Sequence, residues 1–167
     1  GAYGALESAF LDHPADPDLW DRLGKAADEA KQHEALAAAF SMAIEDEKSL
    51  GDSDRADLSR RVAALYDDTL GRPDAAEPFH KRVLTHDALD ERAFAALKEL
   101  YTTRERWDDL QLLYRNRIAQ TVDAAAKLDL LMQVCFLFEE LLDDPELAIK
   151  AYRDVLDLAP EEAGARY

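Results

Sequence analysis

Val62-Ala63-Ala64-Leu65-Tyr66 returns as Leu97-Lys98-Glu99-Leu100-Tyr101 thirty-five residues later, and as Val134-Cys135-Phe136-Leu137-Phe138 thirty-seven residues after that. Each copy places large apolar residues at i, i+3 and i+4, the stripe of a helix with one buried face. A second stripe follows each of the first at a similar distance: Phe79-His80-Lys81-Arg82-Val83-Leu84, then Tyr114-Arg115-Asn116-Arg117-Ile118, then Tyr152-Arg153-Asp154-Val155-Leu156. Every repeating unit therefore holds two helices. Between the two stripes lie short polar turns, Leu70-Gly71-Arg72-Pro73-Asp74, Thr103-Arg104-Glu105-Arg106-Trp107-Asp108 and Leu142-Asp143-Asp144-Pro145-Glu146. Gly71 suits the residue just past a helix end, and Pro73 and Pro145 suit a first helical turn, where a missing N–H costs nothing. Connections this short make neighbouring helices antiparallel. One such pair cannot bury its stripe alone, so successive pairs must stack on a continuous core.

Working outward from these anchors, the expected fold is all-α: a right-handed superhelix, or α-solenoid, of antiparallel helix pairs with about nine helices in all. The pattern predicts helices near 2–12, 17–31, 33–48, 54–69, 74–86, 90–103, 106–120, 123–142 and 145–158. The chain reads as one repeat domain over 1–167, with a partial unit at 1–14, units at about 15–48, 54–88, 89–121 and 122–160, and the opening of a further helix at 161–167. Polar capping repeats are not evident at either end, so an excerpt of a longer array is expected.

Composition bounds the class. Apolar residues make up 48% of the chain, too many for disorder, while 34% are charged and no apolar run approaches the length of a membrane span. Thirty-six acidic against twenty basic residues give a formal net charge of −16, which repels nucleic-acid phosphates and anionic membranes. The same imbalance favours a basic partner, and it is also a common route to solubility, the reading that the charge alone supports better. The single cysteine, Cys135, excludes an internal disulfide and fits a reducing cytoplasm; no secretory leader is visible at the start. The alanine-rich, arginine-over-lysine composition suggests a bacterial source.

The units resemble tetratricopeptide repeats, pairs of antiparallel helices with a period of about 34 residues. Pro17-Asp18-Leu19-Trp20-Asp21-Arg22-Leu23-Gly24-Lys25-Ala26-Ala27 matches that family's first helix, with Phe40 and Ala43 at its aromatic and small positions on the second. Ala148 to Pro160 is similar, including the closing proline, and the resemblance covers essentially the whole chain. The departures are Lys98 and Cys135 in place of a small residue, Leu36 and Leu110 where alanine is usual, and longer units around 45–57 and 119–127.

Several motifs carry the shadow of chemistry. Glu77-Pro78-Phe79-His80 has the Glu-x-x-His spacing of carboxylate-bridged metal bundles, but no second copy follows it, so His80 reads as a polar substitute at an aromatic repeat position. His33-Glu34-Ala35-Leu36-Ala37 starts like a zinc-protease helix and has Ala37 where the second histidine belongs. Asp52-Ser53-Asp54 opens like a calcium loop that Arg55-Ala56-Asp57 does not continue, leaving a solvated turn as the reading. Cys135, inside an apolar run, is expected to be inert, and Trp20 and Trp107 stand where the repeat wants bulk. With no glycine-rich phosphate loop or nucleophile elbow, no catalysis, metal or cofactor is expected.

What the resemblance implies is a scaffold that holds another protein's peptide or helix in a concave groove lined by the first helix of each unit. On that geometry the groove residues are Asp18, Asp21, Lys25, Asp28, Arg60, Ala64, Asp67, Arg92, Ala95, Glu99, Thr102, Asp129, Met132, Phe136 and Glu139. Acid outnumbers base, so a clamp for a terminal carboxylate is not expected and a lysine- or arginine-rich segment is; beside this stands a nearly equal reading in which these carboxylates are simply solvated and the interface lies on convex faces or loops. Two alternatives stand beside this reading: a structural segment that self-associates, and a regulatory or recruiting segment of a larger multidomain protein.

Overall fold

The computed structural model describes residues 1–142 together with 146, 149, 150 and 153. Among these residues all regular secondary structure is helical, and there is no strand. Eight α-helices run in order: α1 (Ala2–Asp12), α2 (Pro17–Ala30), α3 (His33–Glu45), α4 (Asp52–Ala64), α5 (Pro73–His86), α6 (Glu91–Thr103), α7 (Trp107–Gln120) and α8 (Ala124–Leu142). The ninth helix expected near 145–158, apart from the four residues just named, and the stretch 161–167 lie outside the described residues. The chain divides into two compact units, Gly1–Ala93 and Phe94–Tyr167, with the division inside α6.

Helix starts and stops follow local chemistry. Pro17 and Pro73 each open a helix, and the Asp16 carboxylate accepts the Asp18 N–H at 3.0 Å, answering one of the N–H groups that a helix start leaves unpaired. Between the helices of each pair the chain reverses through a left-handed residue: Lys31 (φ 56°), Gly71 (φ 61°) and Glu105 (φ 54°). The following N–H then reaches back to close the helix, Gln32 to the Ala27 carbonyl at 2.9 Å, Arg72 to that of Tyr66 at 2.6 Å and Arg106 to that of Tyr101 at 2.8 Å. This is the Schellman arrangement, and only the middle copy has the glycine that takes it without a side-chain clash.

The middle closure also spans one residue more than the other two. The extra residue is absorbed by a π-helical turn, Leu65–Thr69, which continues α4 and is closed by the Leu70 N–H on the Leu65 carbonyl at 2.8 Å. Where a plain helix over 54–69 is expected, α4 thus begins two residues earlier and widens at its end. Helix α3 stops at Glu45 rather than near 48, because the Asp46 carboxylate accepts the Lys48 N–H (3.1 Å) and the Ser49 hydroxyl (2.6 Å) and folds the next residues into a turn.

The first unit packs around Phe10, Trp20, Leu23, Leu36, Phe40, Ile44, Leu58 and Val62, with Phe10 and Phe40 meeting edge to face at 5.2 Å. Arg55, read from the sequence as part of a solvated turn, is instead buried: its Nε donates to the Ile44 carbonyl at 2.9 Å and its Nη2 to the Asp46 carbonyl at 3.1 Å. It thereby satisfies carbonyls at the C-terminal end of α3 and complements that helix's dipole. In the second unit Leu97, Tyr101, Leu110, Tyr114, Ile118, Val134 and Phe138 are buried, so both repeating stripes face inward there. Phe94 meets Tyr114 edge to face at 5.2 Å, and the Tyr114 hydroxyl donates to Gln133 Oε1 at 3.2 Å.

Candidate partner-binding groove

Within the first unit an open groove of about 270 Å³ is lined by three helical stripes. Trp20, Gly24 and Asp28 come from α2 at four-residue intervals; Arg61, Ala64, Leu65, Asp68 and Thr69 come from α4 and its π turn; Leu36 and Phe40 of α3 supply the floor. Four-residue spacing keeps each set on one helix face. Chain reversals at residues 31–32 and 46–51 bring α2 and α4 into the same direction, so the groove has two chemically distinct ends.

At one end the Arg61 guanidinium lies over the Trp20 ring, 5.5 Å from its centroid, and donates to Asp21 Oδ1 at 2.7 Å. Trp20 itself is anchored by its indole N–H on the Pro14 carbonyl at 2.6 Å. At the other end stand two carboxylates. Asp28 Oδ1 meets His33 Nε2 at 2.8 Å, and Asp68 Oδ2 accepts from Arg92 Nη2 at 2.6 Å, so each side chain is oriented through one oxygen. Between the ends Gly24 leaves the wall bare: a Cβ built there meets nothing within 4 Å. The glycine of the repeat pattern is thus a place where the groove is open, and close helix contact is not what occupies it.

The residues expected to face a groove are distributed more widely. Asp28 and Ala64 line this one. Asp21 forms its rim through Arg61, while Asp18 lies outside it, 3.8 Å from Arg22, and Lys25 is exposed. Arg60 is held by three aspartates, Asp57 at 2.7 Å, Asp87 at 3.0 Å and Asp90 at 3.1 Å. Burial works to raise the Asp90 carboxyl, but the Ala93 N–H, the Arg60 guanidinium and nearby His80 together hold it below the ordinary carboxylate value. Arg92 serves Asp68. Asp67 turns away, to His80 Nε2 at 2.6 Å; His80 is 3% exposed and Asp67 only partly so.

In the second unit Glu99 is exposed on α6, and Asp129, Met132, Phe136 and Glu139 form an exposed stripe on α8, Met132 being 63% and Phe136 66% exposed. Ala95 is exposed, and the Thr102 hydroxyl donates to its own helix at the Lys98 carbonyl, 2.7 Å.

The metal-like motifs dissolve into local pairs. Glu77 meets Lys81 Nζ at 2.9 Å while His80 faces Asp67, so the Glu-x-x-His residues serve different partners. His33 goes to Asp28, Glu34 to Arg72, and Asp52 lies 3.7 Å from Arg55 in the first turn of α4. Among the described residues no group of three potential metal ligands gathers, and no helix is long and apolar enough to cross a membrane. Cys135 is half-buried, and burial, helped by the Glu139 charge, pushes its thiol up to about 11. The residues sequence reasoning missed are Trp20 as a groove wall, Leu65, Asp68 and Thr69 of the π turn, and the cation–π lid of Arg61. Helical spacing signals the stripe; nothing in it signals the π turn that sets which residues face in. Compared with protein-family models, curated proteins and solved structures, the chain shows no match to any.

Proposed function

We propose that the chain is a tetratricopeptide-like protein-interaction module, its helix pairs stacked in a right-handed superhelix, which binds a basic segment of another protein and carries out no chemistry of its own. The observation that carries this reading is the open groove, which lies over the nearly buried Trp20, Leu36 and Phe40 beside half-buried Leu65 and has a carboxylate-bearing end at Asp28 and Asp68. The recurrent left-handed turns at Lys31, Gly71 and Glu105 support the repeat reading, and the net charge of −16 supports the sign of the partner. Selection from a random phage-displayed peptide library on the immobilised chain at about 50 mM salt tests it. Lysine- and arginine-rich peptides that elute as salt is raised to about 300 mM are the expected outcome; enrichment of acidic or uncharged sequences, or no enrichment, removes the reading.

A second reading rests on Met132 and Phe136, two large apolar side chains exposed one turn apart on α8. Such a face suits another helix, including one from a second copy. Sedimentation of the wild type beside a Met132→Glu, Phe136→Glu variant separates the readings: concentration-dependent oligomers lost in the variant favour self-association.

A further inference from the structure

We propose that the groove between α2 and α4 is an anchor for one arginine side chain, the aliphatic stem lying over Gly24 and the guanidinium bridging Asp28 and Asp68. The inference rests on the proposed binding of a basic segment and names the residue that segment must present.

Size comes first. At about 270 Å³ the groove falls just below the range of small-molecule pockets, so it suits one long side chain better than a whole ligand. Its length agrees: from Gly24 to Asp28 is four residues of α2, about 6 Å along the axis, close to the reach of an arginine side chain. The middle of the groove is apolar along its inner surface, with Ala64 and Leu65 half-buried and the nearly buried Leu36 and Phe40 beneath the bare backbone of Gly24, and it opens to solvent on its remaining side. A flexible methylene stem fills such a slot, and a short or β-branched side chain does not reach its end.

The charged end then selects the head group. Asp28 is held through Oδ1 by His33 and Asp68 through Oδ2 by Arg92, which leaves Asp28 Oδ2 and Asp68 Oδ1 as acceptors on the groove's two walls. Both carboxylates are largely exposed, so geometry rather than desolvation separates the candidates: a guanidinium presents donors along several edges of one plane and can serve two carboxylates at once, whereas an ammonium is a compact, strongly hydrated point charge without that fork. The cation of the groove itself, Arg61, does not compete for this end, since it is fastened to Asp21 and laid on Trp20 at the other.

The test is a titration of the ¹⁵N-labelled full chain with Nα-acetyl-arginine amide, followed by amide shifts, with the acetyl amides of lysine and of citrulline as probes of charge and shape. Saturable shifts confined to Gly24, Asp28, Ala64, Leu65, Asp68 and Thr69 are expected with arginine, with lysine binding more weakly and citrulline about tenfold weaker or worse. Gly24→Leu, which projects a side chain into open space, should abolish the shifts while the rest of the spectrum reports an intact fold, and Asp68→Asn should weaken binding about tenfold without filling the groove. Shifts that are absent, that survive Gly24→Leu, or that are as large with citrulline overturn the anchor. If library-selected basic peptides still bind the Gly24→Leu variant as they bind the wild type, the anchor falls and the basic-partner reading stands; if neither arginine nor any basic peptide binds, both fall.

Discussion

Arg55 shows how far a single side chain's role depends on where the chain folds back. In a run of aspartates it reads as surface, yet it is 9% exposed and spends its donors on the Ile44 and Asp46 carbonyls. Replacing it with methionine keeps much of the bulk and strands those acceptors, so Arg55→Met should lower unfolding free energy by about 2–3 kcal/mol, read from urea denaturation. A loss below about 0.5 kcal/mol would place the residue among ordinary surface arginines. Cys135 is the opposite case: its apolar neighbours already indicate an inert thiol, and the upward shift to about 11 has burial as its main cause. Its alkylation by iodoacetamide at pH 8 should run at least about tenfold slower than in the urea-unfolded chain, because only the thiolate reacts.

At the scale of the element, the left-handed turns make a prediction that separates backbone from side chain. Lys31 and Glu105 hold a conformation that costs a non-glycine residue about 1 kcal/mol, whereas Gly71 pays nothing. Lys31→Gly and Glu105→Gly should each raise stability by up to about 1 kcal/mol, and Gly71→Ala should lower it by about 1 kcal/mol, all by thermal or urea unfolding. The same pattern locates the π turn: it lies in the helix whose closure spans one extra residue, ahead of Gly71. Deleting Thr69 should convert that turn to α-helix, and with Leu65 and Asp68 rotated the groove should lose its arginine response.

For the whole molecule the net charge and the pattern of ion pairs set the response to acid. Asp90 has its carboxyl held below the ordinary value, and Asp46 is lowered by the Ser49 hydroxyl and Lys48 N–H. A carboxylate whose folded pKa is depressed adds stability above its unfolded value, about 3.9, and that stability is lost as the pH falls through the folded value. Thermal midpoints should therefore hold from neutral pH to about pH 5 and drop below about pH 4. Asp90→Asn should start less stable and show a shallower drop, because it cannot lose the ionised contact with Arg60; a drop as steep as the wild type's would mean that other carboxylates control the acid limb.

How much of this was legible beforehand follows from which forces are local. Stripes at i, i+3 and i+4, prolines at helix starts and the polar turns are written in neighbouring residues, and from them the sequence by itself determined an all-helical chain, the bounds of its described helices to within a few residues, and the inward faces around Val62, Leu97 and Val134. The candidate groove was legible only in outline: Asp28 and Ala64 were placed in it, but Asp21 and Lys25 on the expected line of α2 lie one position from Trp20 and Gly24, and Asp18 lies two from Trp20. One position on a helix is about 100° of rotation, and helical side chains lean toward the N-terminus, so a face inferred from periodicity is uncertain by about that much. Tertiary structure alone decided the rest: Arg60 withdrawn by Asp87 and Asp90, Asp67 by His80, and Asp68 brought to the groove by the π turn. Those contacts join residues up to thirty positions apart, and a charge is drawn to whichever opposite charge the fold brings within reach, which no reading of adjacent residues contains.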